Sequence, residues 1–216
     1  MNTQKLNSAI TEFVKKKKSN AAYYEENWAE RKERKNYYQS FSKDKLLAMT
    51  EEEFLEYISK LWSMLIWGNK KYVVDKMIAD NGFASLKKQL AELLYGTSPI
   101  EKRWDVFLKS IKGMGPATIS ELLTYANPQE YVIFNKTTIL CYGYLDISDM
   151  PKYNYQYTGK KYVLLQKRSP QNSKKPVQMI MIFWLWIILC GMKFYHLLII
   201  RLPYLLLPLK SRNLLP

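Results

Sequence analysis

Ile111-Lys112-Gly113-Met114-Gly115-Pro116-Ala117-Thr118 lies between two apolar helical stripes and decides how the chain is read. Upstream, Trp104, Phe107, Leu108 and Ile111 recur at the three-and-four spacing of a helix face. Downstream, Pro116 suits the first position of a new helix, where its missing N–H is no loss, and Ile119, Leu122 and Leu123 form the next stripe. The two glycines permit positive φ and close backbone approach. Met114 between them is placed to plug into a core. The N–H groups that follow Gly115 then lie at a helix N-terminus, where partial positive charge favours an anion. The pattern predicts two helices joined by a tight hairpin, and the hairpin has two readings. Its glycines only permit helix packing, or the turn offers N–H groups to a phosphate, with Lys112 and Thr118 adding direct contacts. Contacts of the second kind position a protein on a duplex without reading its sequence.

Outward from this segment the apolar pattern stays helical. Thr50-Glu51-Glu52-Glu53 has the form of a capping box, and Phe54, Leu55, Ile58, Leu61, Trp62, Leu65 and Ile66 follow at helical spacing. Gly68-Asn69 is the expected stop for that helix. A second helix is expected over about 71–79, ending at Asn81-Gly82, and a third carries Leu86, Leu90, Leu93 and Leu94 and closes at Gly96. Ser98 is the expected N-cap of the next helix, with Pro99 at its first position. Past Asn127-Pro128, residues 131–134 read as a short extended run and 137–145 as a final short helix, with Asn135 well suited to cap it. Stripes of this kind without strand alternation predict an all-α domain over 41–165. Residues 1–40 mix Lys15 to Lys18 with Tyr23, Tyr24, Trp28, Tyr37 and Tyr38. They read as one or two solvated helices, or as a basic, aromatic arm able to follow a phosphate backbone and stack on bases.

The net charge of +14 is unevenly distributed. All nineteen acidic residues lie at or before Asp149, whereas eleven of the thirty-three Lys and Arg lie after it, so residues 1–149 carry a net of only +3. Whole-chain charge is therefore a weak argument for a nucleic-acid partner. Cys141, Cys190 and the single His196 have no metal-ligand spacing, so no metal or other cofactor is expected. The polar N-terminus does not resemble a secretory signal, so the body is expected to be intracellular and cytoplasmic. No GxxxxGK[ST] run occurs, which excludes a P-loop NTPase within this chain.

Residues 111–145 resemble the helix–hairpin–helix core of the DNA glycosylase superfamily. There a hairpin of the type leucine-proline-glycine-valine-glycine precedes a helix, and an aspartate past the second glycine opens the next helix and assists loss of the base. Bifunctional members carry a lysine two residues past that glycine. By position these sites are Asn135, twenty residues past Gly115, and Ala117. Asparagine cannot act as a carboxylate base, and alanine cannot form a Schiff base. The cysteine cluster with which some members hold an iron–sulfur group is also absent. The resemblance implies the scaffold without the activity. Its contacts to DNA would come from Lys112, Gly113, Met114, Gly115, Ala117 and Thr118, joined by Asn135 and Lys136. A longer resemblance, over about 28–165, rests on Trp62-Ser63-Met64-Leu65-Ile66-Trp67-Gly68-Asn69-Lys70, Arg103-Trp104-Asp105 and Gly113-Met114-Gly115-Pro116-Ala117. These runs are similar to an N-terminal region attached to McrB-type restriction ATPases and related defence proteins. That resemblance implies a DNA-contacting module whose ATPase or nuclease partner is a separate chain.

Residues 166–216 differ in character. They are first basic, then strongly apolar, with no Asp or Glu after Asp149. Residues 177–192 are nearly long enough for a tail anchor, which would place the protein at a membrane. The other reading is an out-of-frame translation after about 165. Met and Trp have single codons, and joining each codon's last base to the next two across 179–196 yields an acidic, aromatic ending such as a folded domain has. The expectations are thus a non-enzymatic DNA-binding module, with three alternatives. One is a glycosylase-like enzyme with a displaced acid among Asp105, Glu121 and Asp146. The others are a helical protein-interaction adaptor and a tail-anchored membrane protein. Sequencing the coding DNA tests the frame: an open frame restored near codons 165–172 is expected, and its absence would reject the frameshift.

Overall fold

The structure, a computed structural model, describes residues 2–168, which contain no strand. Ten α-helices occur in this order: α1 (Thr3–Ser19), α2 (Ala21–Gln39), α3 (Lys43–Ala48), α4 (Glu51–Ser59), α5 (Lys70–Asn81), α6 (Phe83–Tyr95), α7 (Ile100–Ser110), α8 (Pro116–Ala126), α9 (Lys136–Tyr144) and α10 (Gly159–Arg168). The all-α class is therefore as the stripes predicted. The expected hydrophobic tail, with the anchor and frame readings attached to it, lies outside the described residues.

Local chemistry places most helix ends. Thr50 and Glu53 form the expected capping box: the Glu53 N–H donates to Thr50 Oγ1 at 3.2 Å, and the Thr50 N–H to Glu53 Oε2 at 2.9 Å. Gly82 ends α5 at φ +74, a conformation that glycine tolerates best, and Gly96 follows α6. Leu86, Leu90, Leu93 and Leu94 are all buried. Pro116 opens α8 as expected, whereas Pro99 is itself the N-cap of α7, one residue later than the sequence suggested. Asn135 caps α9, its Oδ1 accepting the N–H groups of Thr137 and Thr138, each at 3.0 Å.

One expectation fails clearly. The helix beginning at Glu51 does not continue to Gly68; it ends at Ser59, and a single 3₁₀ turn follows at Trp62–Met64. Leu61 is extended and fully buried. Beyond it the N–H groups of Trp62 and Ser63 donate to the Glu121 carboxylate of α8 instead of to carbonyls one turn back. Leu65 and Ile66, expected on a buried face, are exposed as a result. Asn69 does not stop a helix either; its side chain caps α5 through the Tyr72 N–H.

The core is continuous past residue 40. Leu6 and Ala9 of α1 and Tyr38 of α2 belong to the same apolar cluster as Trp104, Leu122 and Phe134. The Asn2 N–H donates to the Leu145 carbonyl at 2.8 Å, which ties the start of α1 to the end of α9. Tyr38 lies parallel to Tyr125 of α8, with centroids 4.5 Å apart, and its hydroxyl donates to the Tyr57 carbonyl. A ring so enclosed is closed to bases, so Tyr38 has no part in a stacking arm.

At the other end, α10 packs on α7 and runs to Arg168, three residues past the boundary expected at 165. The Trp104 ring stacks on Tyr162 at 4.3 Å, and its Nε1–H donates to the Tyr157 carbonyl. Asp105 accepts the Gly159 N–H at 2.7 Å, closing the N-terminus of α10. At Gly159 the two helices come so near that an added Cβ would collide with the backbone of Glu101. Gly159→Ala must push α10 off α7, and we expect a loss of at least about 2 kcal/mol, read as a lowered midpoint of urea unfolding.

Candidate functional site

The turn from α7 to α8 is built from both sides. Ile111 and Met114 are buried, so the chain is pinned at two points while Lys112, Gly113 and Gly115 face solvent. Met114 plugs the core as the sequence suggested. The glycines are not equivalent, although both were expected to use their conformational freedom. Gly113 has φ +90, and a Cβ there would touch Met77 of α5. Gly115 is extended, at φ −94, with nothing within 4 Å of an added Cβ. Its bareness serves openness, not backbone strain.

Asn81, expected only as a helix stop, clamps this turn. Its Nδ2 donates to the Lys112 carbonyl at 2.9 Å and to the Met77 carbonyl at 2.7 Å, while its Oδ1 accepts the Lys112 N–H at 2.8 Å. A side chain paired in this way with one residue's N–H and C=O imitates a strand partner. The available signal was the Asn81-Gly82 pair, which announced a helix end but not its partner. Beyond the clamp, the N–H groups of Gly113, Met114, Gly115, Ala117 and Thr118 have no acceptor among the described residues. Unsatisfied donors at the start of α8 carry partial positive charge.

Ser120 brings the second candidate group beside the first. Its Oγ donates to the Ala117 carbonyl at 3.0 Å and accepts the Phe134 N–H at 2.9 Å. The backbone at Phe134 is therefore tied to α8 at Ser120, about one turn in from the glycine turn. Asn135 Oδ1 accepts from the Thr137 and Thr138 N–H groups and from the Thr138 hydroxyl, and Lys136 is exposed beside it. The asparagine at the position of the glycosylase aspartate is thus a helix cap. Ala117, at the lysine position, is half-buried.

The three acids considered for a displaced catalytic role lie apart, each with a structural partner. Asp105 holds Gly159, as described above. Asp146 is exposed and pairs with Lys5 at 2.7 Å, and this lysine and Asn2 hold its carboxyl below the usual carboxylate range. Glu121 is buried in α8 and accepts the N–H groups of Trp62 at 2.7 Å and Ser63 at 3.0 Å. Burial pushes its pKa up to about 7, against the opposing pull of those N–H donors, the Ser63 side chain and Arg34. Arg34 itself lies over the Trp62 ring, 4.5 Å from its centroid. Cys141 is buried, and no group of three or more His, Cys, Asp or Glu among the described residues could hold a metal ion. Cys190 and His196 lie outside them.

Comparison with protein-family models, with curated proteins and with solved structures gives no match. No helix among the described residues is long and apolar enough to cross a membrane.

The raised pKa of Glu121 has a defined consequence. The folded state holds this proton more tightly than the unfolded chain, whose carboxyl titrates near 4.5. Between these values the folded state binds more protons, so stability falls as pH rises from about 4.5 to about 7 and levels off above that. We expect the urea midpoint to fall across this window and the slope to flatten in Glu121→Gln. An unchanged slope in the variant would assign the titration to other groups.

Proposed function

We propose that the chain is a DNA-binding module that holds the phosphate backbone at the turn between α7 and α8. The observation that carries this reading is the run of five backbone N–H groups without acceptors among the described residues, at Gly113, Met114, Gly115, Ala117 and Thr118. The turn that presents them is stiffened by Asn81 and Met114 and left open at Gly115. Such a site suits a phosphate oxygen, because backbone donors at a helix N-terminus carry partial positive charge and the turn that bears them is held in place. Lys112 adds a mobile charge at the rim, and Lys136 adds a second on the neighbouring α9. Contacts of this kind fix position on a duplex and leave sequence unread.

The likeness of residues 111–145 to a glycosylase core supports the same reading of the scaffold. In place of that family's carboxylate this chain has a capping asparagine, so binding without base excision is proposed. The longer likeness suggests a restriction or defence component that works with a separate ATPase or nuclease subunit in the cytoplasm. One observation favours a protein contact in addition: Leu65, Ile66 and Trp67 are consecutive and exposed on the loop before α5. Adjoining apolar side chains left in water are a common mark of an interaction surface.

Gly115 offers a clean test, because a side chain there meets nothing and needs no unusual backbone angle. Gly115→Glu should fold normally yet weaken binding of a fluorescent duplex tenfold or more, by placing bulk and negative charge before the N–H groups. For the wild type, duplex affinity should fall steeply between low and moderate salt, and Lys112→Ala should reduce the slope of log K against log salt by about 1. Affinity that is indifferent to salt would reject the proposal.

A further inference from the structure

The segment joining α9 to α10 carries a feature that neither the core nor the glycine turn uses. Tyr153 and Tyr155 stand 59% and 77% exposed, yet their rings are parallel within 6° and 5.7 Å apart. Rings so exposed contribute little burial to the fold. Their order comes from the backbone beneath them. Gln156 Oε1 accepts the N–H groups of Lys152 at 2.6 Å and Tyr153 at 3.0 Å, and the Gln156 N–H donates back to the Tyr153 carbonyl at 2.9 Å. Both ends of the segment are also anchored. Trp104 and Asp105 hold Tyr157 and Gly159, and Arg168 holds Ser148 and Asp149.

Beside Tyr155 lies a shallow groove of about 580 Å³, with Thr158, Lys160 and Lys161 also among its walls. Its charge without an ion-pair partner among the described residues is positive. The only acid of the wall, Asp149, is paired with Arg168 at 3.0 Å, while Lys152 and Lys160 are exposed and Lys161 half-exposed, with no ion-pair partner among the described residues. Two flat π-faces on a rigid turn, with unpaired cations a few residues away, match a chain that alternates flat bases with phosphates.

We propose that this segment binds single-stranded nucleic acid. A base stacks on the outer face of the Tyr153–Tyr155 pair, and Lys160 and Lys161 take the adjoining phosphates along the groove. The rings already touch one another, so a base adds to the stack instead of entering it. Stacking is tolerant of base identity, because every base has a π-face. Neutral sugars also stack on tyrosine, but they gain nothing from the lysines, whereas a polyanion does. The proposal uses no residue of the glycine turn and stands independently of the duplex-binding reading.

The test uses the full chain and a fluorescein-labelled oligothymidylate of about a dozen nucleotides, with a duplex of equal length as the second probe. The double variant Tyr153→Ala, Tyr155→Ala should weaken binding of the single strand about tenfold or more, and should leave the duplex affinity unchanged. Replacing both tyrosines with Phe should keep single-strand binding within about twofold, because the π-faces remain. Lys160→Ala with Lys161→Ala should weaken it and reduce its salt dependence. Gly115→Glu should do the reverse, lowering only the duplex affinity, so the two proposals fail separately. Wild-type protein that does not bind the oligothymidylate, an Ala pair that binds it unchanged, loss of binding in the Phe pair, or competition by an uncharged oligosaccharide would each overturn the assignment.

Discussion

The Glu121 carboxylate has exchanged water for two backbone N–H groups, and the middle of the molecule is arranged around that exchange. A charge or even a neutral acid inside a protein is costly unless its hydrogen bonds are replaced. Here they are replaced by a turn that must break off α4 early to supply the donors. Helix α8, which carries Glu121, is enclosed on its other sides. Tyr125 stacks on Tyr38 of α2, Ser120 bridges to Phe134, and Ile119, Leu122 and Leu123 are fully buried. A helix held on every side cannot tilt, so its N-terminus and the turn before it keep one orientation.

Helix α7 performs the corresponding task for the surface. Through Trp104, Asp105 and the close approach at Gly159 it carries α10 and the tyrosine segment. From its far end, about 9 Å along the axis from Trp104 to Ser110, it releases the glycine turn. Both surfaces proposed to meet nucleic acid thus depend on one helix, and each is stiffened by a single amide side chain, Asn81 for the turn and Gln156 for the tyrosine pair. Amides suit this use because they carry a donor and an acceptor at once without adding charge.

Much of the helical frame was legible because its signals are local. The capping box at Thr50, the stop at Gly82, Pro116 at the start of α8 and Asn135 as a cap depend on neighbours within four residues. The stripe at Leu86, Leu90, Leu93 and Leu94 depends only on helical period. Of the candidate site, Met114 as an anchor was readable, whereas which of the two glycines takes positive φ was not: Gly113 does and Gly115 does not. What escaped was nonlocal. Asn81 meets Lys112 thirty-one residues away, and Glu121 meets Ser63 across fifty-eight. Leu65 and Ile66 continue a helical stripe in sequence, but a carboxylate from another helix takes the N–H groups that would have continued the helix.

The sequence by itself determined that the chain is helical, where most helices begin and end, and that a bare glycine turn precedes α8. These follow from backbone conformational cost and from hydrogen bonds that close within one turn. Only the tertiary structure decided which polar groups face one another. It made Tyr38 a core residue, Asp105 the cap of α10 and Glu121 a buried acid, and it left five N–H groups without an acceptor among the described residues and two parallel tyrosines exposed. The physical reason is that a hydrogen bond or a burial across many residues depends on how helices pack, and packing is set by the whole apolar surface at once.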